Sequence, residues 1–208
     1  MESKCKICRR AGEKLFLKGD RCFTPKCAVV RKPYPPGVHG STLRRRRGAS
    51  EYGSQLKEKQ KLRNIYHLRE NQFRTYVDKA MGMRGADASS KLLEALSLRL
   101  DNVVFEAGFV PSRSIARQVV GHGHARVNGK KTSVPSYALR VGDVISLSDA
   151  FLQSSTMQTT DEAFKKFNAP SWISLDRDAK TATIVSLPDT VHQTSFNIKL
   201  IIEYYART

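Results

Sequence analysis

Four cysteines near the N-terminus are the residues whose types and spacing most clearly predict chemistry. They form Cys5-x2-Cys8 and Cys22-x4-Cys27, and no other cysteine occurs in the 208 residues. Four soft thiolates on two short hooks can close a tetrahedron around one zinc ion. Residues 1 to about 47 are predicted to form a metal-held module with little regular structure. The segments around the hooks contain little apolar material, so a metal would replace the missing core. The sequence therefore predicts one structural zinc ion bound by Cys5, Cys8, Cys22 and Cys27.

Two alternatives use the same four thiols without a metal. A pair of disulfides would require an oxidising compartment, yet the four residues before Cys5 leave no room for an apolar signal segment. Free or redox-active thiols are the other alternative.

The longest apolar runs elsewhere fall far short of the roughly 20 residues that a membrane span requires. We therefore expect a cytoplasmic, soluble protein.

The charge of the chain predicts a polyanionic partner. The formal net charge is +17, and residues 1–85 contain 22 Lys and Arg against 7 Asp and Glu. Residues 113–142 contain six further cations and no acid. A solvated face explains many charge runs, but it does not explain so basic a half. A membrane-surface protein would need an amphipathic helix with a large apolar face, and neither end of the chain has one. Two basic segments favour a nucleic-acid-binding protein.

The segment after the second hook is predicted to be extended and basic. Residues 31–40 contain three prolines and two glycines, which exclude a helix and favour a polyproline-like path. Arg44, Arg45, Arg46 and Arg47 follow. Their guanidinium groups repel one another unless phosphates neutralise them. An arm that is disordered without nucleic acid is compatible with this interpretation.

The middle of the chain has helical periodicity. Ser50 is a candidate N-cap, and two helices are predicted between residue 50 and about residue 80, the second from Glu70. A third helix is predicted from near Ser90 through Ala107, with Gly108 as its stop.

The next segment changes to a period of two residues after a short helix. Ser112 is predicted to cap a helix to about Val120, and Asn128-Gly129 predicts a hairpin with a type I′ turn. Strands are also predicted at residues 144–147, 172–175 and 183–185. Residues 152–169 are predicted to form a loop with a short helical turn. The segment from Asn197 has the spacing of a helix that docks by one apolar stripe.

Several motifs together resemble one family. They are Cys5-Lys6-Ile7-Cys8-Arg9-Arg10, Arg21-Cys22-Phe23-Thr24-Pro25-Lys26-Cys27, Arg31-Lys32-Pro33-Tyr34-Pro35-Pro36-Gly37, Arg99-Leu100-Asp101-Asn102-Val103-Val104, Gly121-His122-Gly123-His124 and Val127-Asn128-Gly129. Nearly the whole chain resembles the bacterial small-subunit ribosomal protein S-four family in its zinc-binding form. The proline-rich motif is highly specific, whereas the module from residue 91 onward is shared with other RNA-binding proteins. His67 stands where this family usually has a glycine.

The resemblance implies an α+β fold with an N-terminal zinc-held module, a helical domain, and a small α/β RNA-binding module with an antiparallel sheet. The C-terminal helix is expected to dock back on the helical domain. The expected boundaries are 1–47 for the zinc module, 48–90 for the helical domain, 91–190 for the RNA-binding module and 191–208 for the docking helix. The implied function is a primary rRNA-binding constituent of the small ribosomal subunit that nucleates assembly and contributes to translational accuracy. Its implied neighbours are mRNA near the path by which it enters, and ribosomal proteins S-three and S-five.

The predicted phosphate contacts combine the basic segments. They are Arg44, Arg45, Arg46, Arg47, Lys57, Lys61, Arg63, Arg113, Arg117, Lys130 and Lys131. Most of the affinity for RNA is therefore expected to be electrostatic and to depend on salt concentration.

Two rival functions use parts of the same sequence. Some RNA pseudouridine synthases carry an Arg-Leu-Asp motif like Arg99-Leu100-Asp101, but here it lies in a predicted apolar-faced helix, where Asp101 suits a structural cap or an arginine partner. A zinc-dependent DNA-binding regulator would place a recognition helix behind its hooks, where this chain has the proline-rich segment. His122 and His124 have no nearby nucleophile or acid, so RNA contact or turn packing is favoured over catalysis.

Overall fold

The computed structural model describes residues 3–41, 50–83, 87–188 and 196–207. They belong to two compact units, Met1–Leu92 with Gln193–Thr208, and Leu93–His192. The predicted domain boundaries near residues 47, 90 and 190 stay predictions. No helix in the described part of the chain is long and apolar enough to cross a membrane.

The segment that contains the cysteines has more regular structure than the sequence predicts. Helix α1 spans Lys4–Ala11, a 3₁₀ turn spans Gly19–Cys22, and α2 spans Ala28–Arg31. Gly12 ends α1 in the left-handed region with φ 79°, and its N–H bonds the carbonyl of Cys8. No helix follows α2 among residues 32–41, as the prolines predict. The expectation of little regular structure was therefore wrong for α1, which sets Cys5 and Cys8 one helical turn apart.

Among the described residues, three further helices lie wholly within the first unit. Helix α3 spans Glu51–Ile65 and α4 spans Glu70–Met81, and Ser50 caps α3 by accepting a bond from Gly53 N–H at 3.2 Å. His67 lies between them with φ 52°, a left-handed conformation that a glycine adopts at lower cost. The C-terminal helix, which we label α10, spans Ile198–Ala206 and packs on α3 and α4 through buried Ile201 and Tyr205. The predicted docking is therefore confirmed.

The predicted third helix is broken into two. Helix α5 spans Ala88–Ser97 and α6 spans Leu100–Glu106, with Arg99 in an extended conformation between them. Backbone bonds explain the break: Leu100 N–H donates to Tyr137 O at 2.9 Å, and Leu139 N–H donates to Leu98 O at 2.9 Å. An apolar periodicity cannot reveal this break, because the competing bonds come from residues about forty positions away. Gly108, with φ 77°, ends α6 as predicted.

The second unit is built on a five-stranded antiparallel sheet. The strands are β1 (Ala125–Val127), β2 (Lys130–Thr132), β3 (Val144–Leu147), β4 (Ile173–Asp176) and β5 (Thr181–Ile184), in the order β2-β1-β3-β5-β4. Helix α7 spans Arg113–Gly121 and precedes β1, with Ser112 as its N-cap. Asn128 and Gly129 have φ 50° and 78°, which confirms the predicted type I′ hairpin. Residues of α6, α7 and the sheet share one core.

The segment after β3 contains a longer helix than the sequence predicts. Helix α8 spans Asp149–Leu152 and α9 spans Ser155–Lys165. Met157, Thr160 and Phe164 are buried at helical spacing, and Phe164 stacks on Phe109 with ring centroids 5.3 Å apart. The expected loop was therefore wrong, because two well-spaced apolar residues suffice to anchor a polar helix to an existing core.

Candidate metal centre and nucleic-acid interface

The four cysteines line one small cavity in the first unit. Helix α1 carries Cys5 and Cys8, the 3₁₀ turn ends at Cys22, and Cys27 precedes α2. Cys8, Cys22 and Cys27 are buried, and Cys5 is partly buried. The cavity has a volume of about 20 Å³, whereas about 10–15 Å³ of such space is needed for one water. The chain therefore brings four thiols around space for one small species, and none of the four is in a disulfide.

The environment of the Cys8 sulfur acts on its pKa in both directions, with a net increase. Burial raises the pKa of the Cys8 thiol, and neighbouring Cys22 and Cys5 raise it further, while backbone N–H groups of Leu15 and Leu17 bond its sulfur and act in the opposite direction. Lys4, Lys18 and Arg21 line the same cavity. Amide donors and nearby cations stabilise thiolate sulfur.

The thiols converge without the geometry of a completed metal site. Among residues 3–41, 50–83, 87–188 and 196–207, no group of three or more Cys, His, Asp or Glu is arranged so that it could hold a metal ion. The donor set, the cavity and the amide donors fit a tetrahedral zinc site of the four-cysteine type.

The hairpin of the second unit presents exposed cations. Arg126 lies directly opposite Lys131 in the antiparallel register, and Lys130 follows the turn. All three side chains are exposed, and in the described part of the chain none forms an ion pair. Lys131 extends over Gly123, where an added Cβ would collide with the lysine Cε. The hairpin therefore holds three exposed cations that the described part of the chain does not neutralise.

The arginines of α7 are partly occupied by protein contacts. Arg113 donates to Asn102 Oδ1 at 2.7 Å and to Glu106 at 2.5 Å, and its guanidinium stacks on the Phe105 ring at 4.4 Å. Arg117 lies 3.5 Å from Asp101 Oδ2, with its side chain 36% exposed. These contacts hold both guanidinium groups in fixed positions beside the domain surface.

The cations of α3 that were predicted to contact phosphates differ in their exposure and in their ion pairs. Lys57 is exposed. Arg63 is half-buried and pairs with Glu70 at 2.8 Å. Lys61 is buried, and its ammonium pairs with Glu13 at 2.6 Å and with Glu58 at 2.7 Å. Arg44, Arg45, Arg46 and Arg47 lie outside the described residues. All of these phosphate contacts stay predictions, and Lys57 has the most accessible charge of the α3 set.

The residues of the rival interpretations have structural roles. Arg99 and Asp101 form a buried bidentate pair, with Arg99 Nε and Nη2 at 3.0 and 2.7 Å from the carboxylate oxygens. Asp101 is therefore the arginine partner that the sequence favoured. His124 Nδ1 lies 3.0 Å from Ser148 Oγ, and its ring packs 5.7 Å from that of Phe151. His122 is exposed.

Comparisons with known proteins match both units. The family model described as "Ribosomal protein S4/S9 N-terminal domain" matches residues 1–97, and the model described as "S4 domain" matches residues 98–145. The chain belongs to the ribosomal protein S4 family. It is 47% identical over 204 residues to the small ribosomal subunit protein uS4 of Desulfitobacterium hafniense strain DSM 10664 / DCB-2, covering 98% of this chain and 96% of the relative. The Syntrophomonas wolfei protein of that name is 46% identical over 99% of this chain and 98% of its own. The uS4A protein of Myxococcus xanthus is 43% identical over 99% and 97%.

The family assignment gives the two candidate sites their context. The four cysteines fall within the match to the N-terminal domain, and the S4 domain match covers α6, α7, β1, β2 and the first half of β3. The relatives are ribosomal proteins, and the chain is not an enzyme. Arg126 was missing from the predicted contacts, although the period-two pattern placed it opposite Lys131. Register across a predicted hairpin is the signal that could have found it.

Proposed function

We propose that this chain is a structural constituent of the small ribosomal subunit in the cytoplasm and binds the rRNA directly. The observation that carries the proposal is the set of exposed, unneutralised cations Arg126, Lys130 and Lys131 on the hairpin of the S4 domain. Phosphates are the natural partners of such a set, because contact releases the counterions condensed on the RNA.

Recognition would depend on the shape of a folded RNA more than on its sequence. The deep groove of A-form RNA is closed to side chains, and the shallow groove displays mainly hydroxyl groups. Arg113 and Arg117 support this mode, since their carboxylate and ring contacts fix the positions from which they would meet phosphates.

Two basic segments on one chain suit an early role in assembly. Residues 1–85 and the S4 domain each carry cations, so contact by one raises the effective concentration of the other near the same RNA. A protein that holds two parts of a junction in this way stabilises the folded junction. Nucleation of small-subunit assembly follows from that coupling.

The finer placement rests on the family resemblance. We infer a position near the path by which mRNA enters, beside ribosomal proteins S-three and S-five, and a contribution to translational accuracy. Exposed basic residues support contact with mRNA.

We also propose that Cys5, Cys8, Cys22 and Cys27 hold one structural zinc ion. The support is their convergence on one cavity of about 20 Å³ with amide donors to Cys8 and three cations around it. When bound, zinc would cross-link α1, the 3₁₀ turn and α2, which have few buried apolar residues between them.

The zinc proposal is tested by metal analysis of protein purified under zinc-replete, reducing conditions. We expect about one zinc per chain, and the replacement Cys22→Ser should lower this ratio and increase protease cleavage within residues 3–41. Thr24→Ser is the matched control, because it changes the same turn but keeps the hydroxyl that bonds Arg21 O. Wild-type protein without stoichiometric metal would contradict the proposal.

The rRNA proposal is tested by binding of the protein alone to naked small-subunit rRNA at moderate salt, with backbone footprinting. We expect protection confined to one multi-helix junction. Equal protection along any RNA of similar length would indicate a generic polyanion binder and would contradict a primary rRNA-binding role.

A further inference from the structure

Two phenylalanine rings lie on the surface of the cysteine-containing segment. Phe16 is 45% exposed and Phe23 is 74% exposed. Their ring centroids are 5.0 Å apart with an interplanar angle of 30°. Neither ring belongs to a buried core, and neither is used by the proposed zinc site or by the predicted phosphate contacts.

The backbone of Phe16 adopts a conformation that is unfavourable for a phenylalanine. Phe16 has φ 51°, a left-handed conformation that is unfavourable for a bulky residue. The turn at Phe16 positions the residues on either side of it. Leu15 and Leu17 are buried, and their N–H groups bond the sulfur of Cys8. A glycine would meet that need without strain. The turn therefore explains the φ angle but not the phenyl ring.

The charge around the rings is strongly positive. From Lys14 to Lys26 the sequence contains four cations and one acid, Asp20. Lys18, Arg21 and Lys26 are exposed, and none of them forms an ion pair within the described residues. The two rings thus lie in a segment with exposed cations, of which Lys18 and Arg21 also line the cysteine cavity and Lys26 does not.

We propose that the Phe16–Phe23 pair is a stacking site for an unpaired nucleobase of the RNA. This inference rests on the proposed rRNA binding and deepens it, since it adds a base contact to a surface otherwise expected to meet phosphates. A nucleotide brings both partners that the surface needs, an aromatic face for the rings and a phosphate for the cations. An apolar protein surface could pack against the rings, but it would remove water from the cations without offering them hydrogen-bond acceptors.

The test measures binding of zinc-loaded full-length protein to naked small-subunit rRNA for three variants. Phe23→Leu keeps an apolar side chain but removes the aromatic face, and we expect about a 5- to 100-fold loss of affinity. Phe23→Trp keeps the aromatic face and should bind within about threefold of wild type. Phe16→Gly removes the strained ring and should lose affinity like Phe23→Leu, while its zinc content stays at that of wild type.

The salt dependence separates stacking from lost phosphate contacts. The slope of log K against log salt should be the same for Phe23→Leu and wild type, because no cation is removed. Val38→Ala is the control for exposed apolar surface in the same unit, as Val38 is 91% exposed and has no aromatic face. This variant should bind like wild type.

Base-specific chemical probing then locates the nucleotide. One unpaired base should be protected by wild type and by Phe23→Trp but exposed with Phe23→Leu. An abasic replacement at that position should weaken wild type and leave the affinity of Phe23→Leu unchanged.

Other outcomes overturn the inference. Equal affinity of Phe23→Leu and wild type for naked RNA would reject stacking, and a defect that appears only when other ribosomal proteins are present would assign the rings to a protein partner. In both cases wild-type binding would leave the proposed rRNA function standing. Wild-type protein that fails to bind the rRNA would overturn the function and the inference together.

Discussion

The Arg99–Asp101 pair places two opposite charges inside the core of the second unit. Arg99 is 1% exposed and Asp101 is 5% exposed, and their bidentate contact is joined at 3.5 Å by Arg117. A buried pair adds little net stability compared with apolar residues, but the loss of one member leaves the other uncompensated. The pair therefore makes stability depend strongly on a single carboxylate.

We expect Asp101→Asn to lower the free energy of unfolding by about 3–5 kcal/mol, because it removes the carboxylate that pairs with the buried guanidinium. Urea denaturation measures the change. Asp78→Asn is the control, since its pair with Arg74 spans 3.9 Å between exposed side chains and should matter by less than about 0.5 kcal/mol. A change below about 1 kcal/mol for Asp101→Asn would show that solvent or a relaxed partner compensates the arginine.

Gly108 is a second position where a small substitution should lower stability, because there is no room for an added Cβ atom. An added Cβ would lie 2.5 Å from the Phe167 ring, and the φ of 77° is itself unfavourable for other residues. Gly108→Ala should therefore cost more than the roughly 1 kcal/mol of a left-handed alanine. Gly142→Ala is the matched comparison, because Gly142 has φ 92° but no atom within 4 Å of its added Cβ. Thermal or urea unfolding that ranks the two variants equally would remove the steric part of the explanation.

At the scale of elements, α10 is held to α3 and α4 by a polar cluster at its C-terminal end. Tyr205 donates to Glu70 at 2.6 Å, and Glu70 also accepts from Lys59 at 2.5 Å and from Arg63 at 2.8 Å. Lys59 is buried with its ammonium 4.7 Å from the Tyr204 ring centroid. The apolar stripe supplies burial, while this cluster defines the register of the helix against its partners.

Removing the Tyr205 hydroxyl should weaken the docking of α10 without emptying the core. Tyr205→Phe keeps the buried ring and loses a bond to a charged acceptor, for which we expect a cost of about 1.5–3 kcal/mol. Tyr137→Phe should be close to neutral, because the described contacts include none from its hydroxyl. Hydrogen exchange of α10 amides provides the local measurement, and unchanged protection in Tyr205→Phe would contradict this role.

The same cluster predicts a pH dependence. Burial raises the pKa of Glu70, but hydrogen bonds from Lys59 and Tyr205 outweigh it and leave the pKa below its ordinary value. A carboxyl whose pKa is lowered in the folded state adds stability above its unfolded pKa, near 4.5, and that stability disappears as the pH falls through the folded value. Tyr205→Phe should therefore lose less stability than wild type on acidification below about pH 4.5. Parallel acid curves for the two proteins would contradict it.

At the scale of the whole molecule, the distribution of charge decides how the protein meets RNA. The basic surplus lies mostly in residues 1–85, but the described structure also leaves the hairpin cations of the second unit exposed and without an ion pair. Arg177, by contrast, lies between Asp176 and Asp178. The two flanking carboxylates make this short stretch net negative, whereas residues 125–132 contain no acid.

We expect Lys130→Ala to reduce the slope of log K against log salt for rRNA binding by about 0.7–0.9, corresponding to one released counterion. Arg177→Gln should leave the slope unchanged. Filter binding or fluorescence titration over a range of salt concentrations measures both. An equal reduction for the two variants would mean that net charge, rather than the hairpin position, controls the affinity.

Local sequence patterns predicted the structural features that depend on residues close together in the chain. The serine caps at Ser50 and Ser112, the Asn128-Gly129 turn and the stop at Gly108 were predicted because each is decided by residues within one turn of the chain. The docking stripe of α10 was visible because a buried helix face needs an apolar partner. The zinc ligation that the spacing of the four cysteines predicts stays a prediction, and the structure adds that they line one cavity.

Only the tertiary structure decided the features that depend on distant residues. The break at Arg99 follows from bonds to residues 135–139, and helix α9 exists because two of its apolar side chains reach a core built by other elements. Lys61 and Lys57 have the same charge and lie one turn apart, yet Lys61 is buried against Glu13 and Glu58 while Lys57 stays exposed. The sequence by itself determined the family, the local turns and the excess of positive charge. Which cations remain available to RNA was decided by folding, because a charge is neutralised by whatever the fold brings within a few ångströms.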